Sequence, residues 1–264
     1  MKIGVCLKQV PATDTRIKIN PEGTDVVLGA DVKWEVNPYD EFALEAALLM
    51  KEAGQASEVV IFSVGGDDCE ARIKDGLARG AGSAVRLHDE AFVGSDALGV
   101  AKILSAAMKK AEIGLVLCGK QAVDSDSSQV APMMAEMLGW QQITSVHAIE
   151  LSGEVIEGKR ASGGGNTDIV KATLPAVISC DKGLNSPRFA SLRGIMMAKR
   201  KKIEVWGAGD LGLDASAVGA GAAVTSDFSM MAPPERPSGH IIEGDAATQA
   251  AELFRLLREE AKVL

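Results

Sequence analysis

The sequence predicts an α/β fold whose core is a mostly parallel sheet flanked by helices. Residues 2–140 alternate short β-branched runs with longer amphipathic segments, a pattern typical of stacked βα units. From Ile143 onward apolar residues recur at every second position, which predicts antiparallel strands that extend the sheet. Large apolar residues are sparse beyond residue 206. We therefore expect a folded domain over residues 1–206 and a C-terminal arm over residues 207–264 that packs on another surface.

The first βα unit combines a strand predicted over residues 3–10 with a helix that follows Asn37. Asn37 is expected as its N-cap, Pro38 as its first residue and Asp40 near the positive end of its dipole. Further strands and helices are predicted in alternation at residues 58–64, 67–77, 84–87, 95–110, 113–118 and 129–138. A basic helix is expected near residues 195–202, and a last helix over about residues 246–262.

Composition excludes several classes of protein. The net charge of −8 argues against broad attraction to nucleic acid, and no apolar stretch reaches the roughly 18 residues that span a bilayer, so no membrane insertion is expected. The four cysteines lie far apart without a Cys-x-x-Cys pair, which argues against zinc, iron–sulfur and dithiol sites and favours buried thiols in a reducing compartment. The three histidines stand in no nucleophile motif, so no catalytic residue and no metal site is expected.

One dinucleotide fingerprint is present by pattern, at residues 207–212 (GAGDLG). In a dinucleotide-binding unit this motif ends a first strand and opens an amphipathic helix. Here a Gly- and Ala-rich tract without a helical stripe follows it, so we interpret the motif as a flexible turn.

The loop over residues 119–128 is a better candidate site, because it lies between a predicted buried strand and a predicted helix. Parallel sheets bind ligands at the edge where strands end. Ser125, Ser127 and Ser128 offer hydroxyls to a phosphate, and Asp124 and Asp126 offer acceptors to ribose hydroxyls. The alternative, that these residues merely cap a helix, stays open on local chemistry alone. Residues 6–9 and 37–40 are expected at the same edge, and three converging loops favour a nucleotide that is held but not transformed.

Four segments make the sequence resemble the beta subunit of electron transfer flavoprotein. They are residues 5–10 (VCLKQV), 37–40 (NPYD), 119–124 (GKQAVD) and, most specifically, 185–192 (NSPRFASL). The match extends over almost the whole chain. It implies an adenine-nucleotide alpha hydrolase-like core and a heterodimer whose alpha subunit holds most of the FAD contacts, while beta carries AMP and forms one wall of the flavin site.

The resemblance also implies which residues bind the cofactor. Carried over by position, the contacts fall on Cys6, Asn37, Pro38, Tyr39, Asp40, Val64, Gly119, Lys120, Gln121, Ala122, Val123, Asp124, Ser125, Asp126, Ser127, Ser128, Gln129 and Val130. These positions coincide with the three converging loops. The chain would have no bond-making catalysis of its own.

For partners, the resemblance implies a recognition loop over residues 184–204 that docks on flavoprotein dehydrogenases. Arg188 and the basic run at residues 199–202 would steer the encounter, and Leu192 would anchor it in an apolar pocket. Electrons would pass through FAD to a quinone oxidoreductase or another acceptor, and the arm would wrap the alpha subunit. The setting would be the bacterial cytoplasm, or the mitochondrial matrix in a eukaryote.

Two alternatives remain at this point. Residues 37–40 and 129–132 also resemble bifurcating relatives, in which a second FAD replaces AMP, whereas Ser125–Ser127 and the run 138–140 (LGW) favour AMP. Arg193 and Gly194 stand where the mitochondrial type has Pro-Asn. Outside the family, a stand-alone adenine-nucleotide sensor would share the core but would have no use for the arm or for Leu192.

Overall fold

The computed structural model describes residues 1–29, 32–226, 229–234 and 239–264. The strands of these parts are β1 (Lys2–Cys6), β2 (Gln9–Pro11), β3 (Lys18–Ile19), β4 (Val26–Val27), β5 (Trp34–Val36), β6 (Glu58–Val64), β7 (Ser83–Leu87), β8 (Ile113–Gly119), β9 (Gln141–Ser152), β10 (Val155–Gly163), β11 (Asn166–Thr173), β12 (Ala176–Cys180) and β13 (Glu204–Trp206). The α-helices are α1 (Pro38–Glu52), α2 (Glu70–Arg79), α3 (Ala97–Lys110), α4 (Val130–Leu138), α5 (Leu192–Arg200), α6 (Ala208–Leu211) and α7 (Ala246–Arg255).

A nine-stranded sheet forms the centre of the molecule, in the order β11-β10-β9-β12-β8-β1-β6-β7-β13. In this spatial order, all neighbouring strands along β9-β12-β8-β1-β6-β7-β13 pair parallel. At the other end of the sheet, β10 pairs antiparallel with both β9 and β11. The mostly parallel α/β fold and its antiparallel extension are therefore confirmed. One detail of the prediction is wrong: Val177, expected in an antiparallel run, lies in β12, which pairs parallel with both neighbours.

Two apolar layers cover the sheet, one on each face. Leu44 of α1 and Ile73 of α2 pack in one layer, which also takes Ala198 of α5. Ile103 of α3 and Met134 of α4 pack in the other. Helices on both faces explain why the central strands are continuous apolar runs without alternation.

The first strand is shorter than predicted because the chain leaves the sheet after Cys6. β1 ends there, and β2 forms a separate two-stranded sheet with β5. Between them, the backbone N–H of Lys8 donates to the side chain of Asp40 at 2.8 Å. The Asp40 carboxylate, 32 positions away in the sequence, thus takes the place of the strand carbonyl that would otherwise accept this N–H. A local pattern of apolar residues does not reveal such a partner.

The fingerprint at residues 207–212 is not a flexible turn, which corrects the prediction. It follows β13, which pairs parallel with β7, and it opens the four-residue helix α6. The carboxylate of Asp210 accepts from the N–H of Gly207 at 2.9 Å, and Ala208 is buried. A helix of one turn offers little surface to a pyrophosphate, so the motif serves to pack the sheet edge.

The folded body continues past the predicted boundary at residue 206. Val218 is buried in the layer beneath α3, and the carboxylate of Asp96 accepts from the N–H groups of Val224 and Thr225 at 2.9 and 3.1 Å. The last helix, α7, has no buried residue. Among the described residues, no helix has the length and apolarity needed to cross a membrane.

Candidate functional site

The carboxyl ends of the neighbouring strands β1 and β8 lie at a topological switch point of the sheet. The connection after β1 leads to α1 on one face, whereas the connection after β8 leads to α4 on the opposite face. The two strands are direct neighbours. A crevice therefore opens between the two connections, and such switch points are where open parallel sheets bind ligands.

A buried carboxylate joins the two strand ends below this crevice. The side chain of Asp40 accepts from the backbone N–H of Lys8 at 2.8 Å and from that of Gly119 at 3.0 Å. A Cβ at position 119 would overlap the atoms of Asp40 and Tyr39, so glycine is required there. Burial raises the pKa of Asp40 to about 7, although the two N–H bonds lower it. Because both oxygens have backbone partners, this side chain positions the strand ends.

Asn37 holds the loop that follows β8. Its side-chain amide donates to the carbonyl of Gln121 at 2.9 Å, and its side-chain oxygen accepts from the N–H of Val123 at 3.1 Å. Asn37 occupies the N-cap position of α1, but its side chain makes no capping bond. The prediction of a capping side chain is wrong because the amide is committed to residues more than 80 positions away.

Within residues 119–128, polar side chains bond to one another. Gln121 donates to Asp126 at 2.6 Å and accepts from Ser128 at 3.0 Å, while Lys8 pairs with Asp124 at 2.7 Å. Asp126 and Ser128 have φ values of 49° and 53°. Left-handed backbone is uncommon in residues other than glycine and clusters at ligand-binding loops.

The rest of the predicted set divides between the loop surface and its base. Ser125, Ser127 and Gln129 are exposed, and Ala122 is half-buried. Lys120 pairs with Asp181 at the end of β12, with 3.1 Å between the charged atoms.

One wall of the crevice is apolar. Cys6, Val64 and Val130 are half-buried and pack against the layer formed by α3 and α4. Burial raises the pKa of the Cys6 thiol, so this residue stays a neutral wall. Met133 belongs to the same wall and was not predicted. Its position, one helical turn after Val130, is the signal that could have identified it.

A separate cavity of about 470 Å³ lies beside the start of α1. Pro38 and Val123 line both this cavity and the predicted site, so the two spaces adjoin. Its lining also includes the acidic Glu41, which pairs with Arg79. Aromatic and cationic side chains contribute as well, namely Tyr39, Phe42, Phe189, Arg79, Lys182 and Arg188.

The two predicted docking residues have different environments. The side chain of Leu192, the first residue of α5, is 83% exposed, as an anchor for a partner requires. Arg188 instead pairs with Glu45 and Glu52 of α1. Its side chain is 31% exposed and held by these ion pairs, and its part in docking stays a prediction.

Comparison with known proteins bears on the family of this chain. The family model described as electron transfer flavoprotein domain matches residues 24–211. The electron transfer flavoprotein subunit beta of Bradyrhizobium diazoefficiens is 38% identical over the full length of both chains, and that of Bacillus subtilis is 35% identical over the full length of both. The chain belongs to the electron transfer flavoprotein beta-subunit family. Family membership assigns it a role in electron transfer within a flavoprotein that also has an alpha subunit.

A third relative comes from a larger complex. The caffeyl-CoA reductase-Etf complex subunit CarD of Acetobacterium woodii is 35% identical, with 98% of this chain and 99% of that protein covered. The relatives thus include two proteins named as electron transfer flavoprotein subunits and one named as a subunit of a reductase complex.

Proposed function

We propose that this chain is the beta subunit of a heterodimeric electron carrier and holds AMP in the crevice between β1 and β8. The heterodimer accepts electrons from flavoprotein dehydrogenases and delivers them, through FAD, to a quinone oxidoreductase or another acceptor. The single observation that carries the proposal is the convergence of three segments, at Cys6, Asn37–Asp40 and 119–128, on one switch point.

The residues present fit an adenine nucleotide. Cys6, Val64, Val130 and Met133 offer an apolar wall for a base, and apolar walls with a few fixed polar groups are typical of ligand sites. Ser125 and Ser127, exposed beside it, offer hydroxyls to a phosphate. The 119–128 loop supports this assignment further because Asn37 holds it while two of its residues keep left-handed backbone.

The adjoining cavity supports a share in the flavin site. Its aromatic side chains suit a planar ring system, and Lys182 supplies positive charge for anionic groups, whereas the charge of Arg79 is paired with Glu41. The volume of about 470 Å³ suits a ring system more than a whole dinucleotide. We therefore assign the cavity one wall of the FAD site, with the remainder on the alpha subunit. When bound, FAD supplies the electron-transfer chemistry, and this chain orients it and shields it from water.

The C-terminal residues support contact with the alpha subunit. α7 buries nothing, although Leu253 and Phe254 lie on it and Phe254 is 55% exposed. Such an apolar helix face is stable in water when a partner covers it. We place the start of the partner-binding arm after residue 226, because residues 207–226 pack on the body. Residues 227–228 and 235–238 of the arm lie outside the described residues.

A second candidate is a bifurcating flavoprotein with a second FAD in the crevice. The relative from the caffeyl-CoA reductase-Etf complex favours it, together with residues 129–132 at the start of α4. The cofactor content of the heterodimer separates the two candidates. In either case the expected setting is the bacterial cytoplasm or the mitochondrial matrix.

Coexpression with the alpha subunit tests the carrier proposal. We expect the two chains to copurify with a flavin spectrum that dithionite bleaches, and we expect a substrate-reduced flavoprotein dehydrogenase to bleach it as well. A beta chain that elutes as a monomer without flavin, yet binds AMP, would contradict the proposal and favour a nucleotide sensor.

A further inference from the structure

The guanidinium of Arg188 is bound on its inner side by two carboxylates of α1. Its Nε lies 2.8 Å from a side-chain oxygen of Glu45, and one terminal nitrogen donates to the other oxygen at 2.9 Å. Both terminal nitrogens donate to Glu52, one of them at 3.0 Å. Glu45 and Glu52 are seven residues apart, about two helical turns, so they share one face of α1. These bonds occupy all three guanidinium nitrogens and raise the pKa of Arg188.

The ion pair with Glu45 is not a surface contact. The side chain of Glu45 is only 7% exposed, and a buried carboxylate without a cation is strongly unfavourable. The backbone N–H of Arg188 also donates to Glu45, at 3.2 Å. The chain at residue 188 is thereby fixed to α1 by main chain and side chain together. Nearby, the amide of Asn185 donates to the carbonyl of Phe42 at 2.9 Å.

The other end of the segment is fixed as well. Lys201 donates to the carbonyls of Ala81 and Gly82 at 2.6 and 2.9 Å, just beyond α2. Near the start of α5, a Cβ at position 194 would overlap the carbonyl oxygen of Ala78. Glycine therefore allows α5 to approach α2 closely. Residues 188–201 lie between two tethers on the body.

Apolar side chains project from this tethered segment. Leu192 and Met196 of α5 are 83% and 64% exposed. Exposed apolar groups on a fixed backbone bind with less loss of conformational entropy than the same groups on a mobile loop. The charge of Arg188 is directed to the body, whereas that of Arg193, next to Leu192, is exposed.

We propose that Arg188 is a positioning residue, which acts through Glu45 and Glu52 to hold residues 188–201 in the conformation that docks on the dehydrogenase. It does not steer the encounter by its charge. The inference rests on the proposed function, because it takes Leu192 as the docking anchor. It assigns charge steering to exposed cations of the segment, such as Arg193.

The test compares Arg188→Gln with Arg193→Gln, which removes the same charge from an exposed site. Both are made in the FAD-loaded heterodimer, and amide hydrogen exchange is measured over residues 184–204. We expect exchange there to rise about tenfold or more in Arg188→Gln and to stay near wild type in Arg193→Gln. If amide hydrogen exchange is unchanged in Arg188→Gln, the proposal is wrong. This result does not depend on which dehydrogenase donates the electrons.

Kinetics with the substrate-reduced flavoprotein dehydrogenase that reduces the wild-type heterodimer provide the second readout. In Arg188→Gln we expect KM for the heterodimer to rise about three- to tenfold, equally at about 0.05 M and about 0.5 M salt, while FAD is reduced by dithionite at the wild-type rate. In Arg193→Gln the rise in KM should disappear at high salt, since screening removes long-range attraction. A salt-sensitive effect in Arg188→Gln would make it a steering residue and overturn the proposal.

Glu52→Gln tests the same ion pair if Arg188→Gln fails to fold. Glu52 is more than half exposed, so the loss of its charge leaves no unpaired buried charge. This variant should raise exchange and KM in the same direction by a smaller factor. No effect of Glu52→Gln on either readout would count against the proposal. If Leu192→Ala does not slow electron transfer from the dehydrogenase to the heterodimer, the proposed function fails instead. The hydrogen-exchange result still decides the role of Arg188 in that case.

Discussion

Asp40 shows how one buried side chain shapes the crevice. Its two oxygens accept from the N–H groups of Lys8 and Gly119, which terminate the two strands on either side of the switch point. It was predicted as a ligand contact on the strength of the NPYD segment. The structure shows that it accepts from the protein backbone, and its contact with a ligand stays a prediction.

We expect Asp40→Asn to loosen the crevice. An amide can accept only one of the two N–H groups, so the other loses its partner at a cost of about 1 to 3 kcal/mol. Nucleotide affinity and the Tm of the heterodimer should both fall. Asp75→Asn is the matched control, since Asp75 lies on α2 outside the crevice, is 49% exposed and pairs with Arg72 on the same helix. Equal Tm values for wild type and Asp40→Asn would contradict this role.

The pKa of Asp40 gives this variant a pH signature. Burial raises the pKa from 3.8 to about 7, so the folded protein binds the proton more tightly than the unfolded chain. The resulting stabilisation is fully present below pH 3.8 and is lost as the pH rises through about 7. The Tm of the wild type should therefore fall, relative to that of Asp40→Asn, between about pH 5 and about pH 8. Scanning calorimetry of both proteins checks this, and parallel Tm curves would refute it.

Leu192 carries the corresponding prediction for docking. Burying one leucine is worth roughly 1.5 to 3 kcal/mol, so Leu192→Ala should weaken the productive complex with a dehydrogenase about tenfold to a hundredfold. The Tm and the rate of reduction by dithionite should stay unchanged, because the side chain packs little against the body. Val93→Ala, at another exposed apolar site, is the control. A large drop in Tm for Leu192→Ala would show that the residue belongs to the core.

The elements around the site were predictable, but their tertiary bonds were not. Apolar periodicity located β6, β8, α1 and α3 to within about two residues, since each has a local pattern. Asn37 was expected to cap a helix because that is what a local pattern indicates. Its real partners, Gln121 and Val123, are brought near only by the fold. The ion pairs of Arg188 were not predictable for the same reason, because its buried partner Glu45 lies 143 positions away.

The 119–128 loop should depend on Asn37. Asn37→Ala removes both bonds that hold the loop, so we expect nucleotide affinity to fall by about 1 to 3 kcal/mol for each lost partner. Helix α1 should persist, because the side chain makes no capping bond. Calorimetric titration of AMP into nucleotide-depleted heterodimer, with circular dichroism alongside, measures both effects. Affinity equal to that of Asn20→Ala, a surface control, would contradict the role of Asn37.

The C-terminal residues should behave as two separate pieces. A chain ended after residue 238 loses α7, which buries nothing, so its body should keep the wild-type Tm while pairing with alpha weakens. A chain ended after residue 206 exposes the layer that Ala208 and Val218 cover and should melt much lower. Thermal melts and copurification with alpha distinguish the two. Undiminished pairing of the shorter deletion would show that α7 has no part in the interface.

Taken whole, the molecule is built to share its cofactors. The crevice at the switch point is formed by strands and a loop of this chain, whereas the cavity beside α1 suits only part of a flavin. α7 and the tethered 188–201 segment present apolar side chains outward. One chain thus offers a nucleotide site of its own, a wall of a shared site, and two surfaces for partners.

The cofactor content of the purified heterodimer decides whether the crevice holds AMP. Nucleotides released by denaturation are separated by chromatography and counted against protein. We expect one FAD and one AMP per heterodimer, and loss of AMP but not of FAD in Asn37→Ala. Two FAD per heterodimer would assign the crevice to a second flavin, and FAD without any second nucleotide would contradict the site described between β1 and β8.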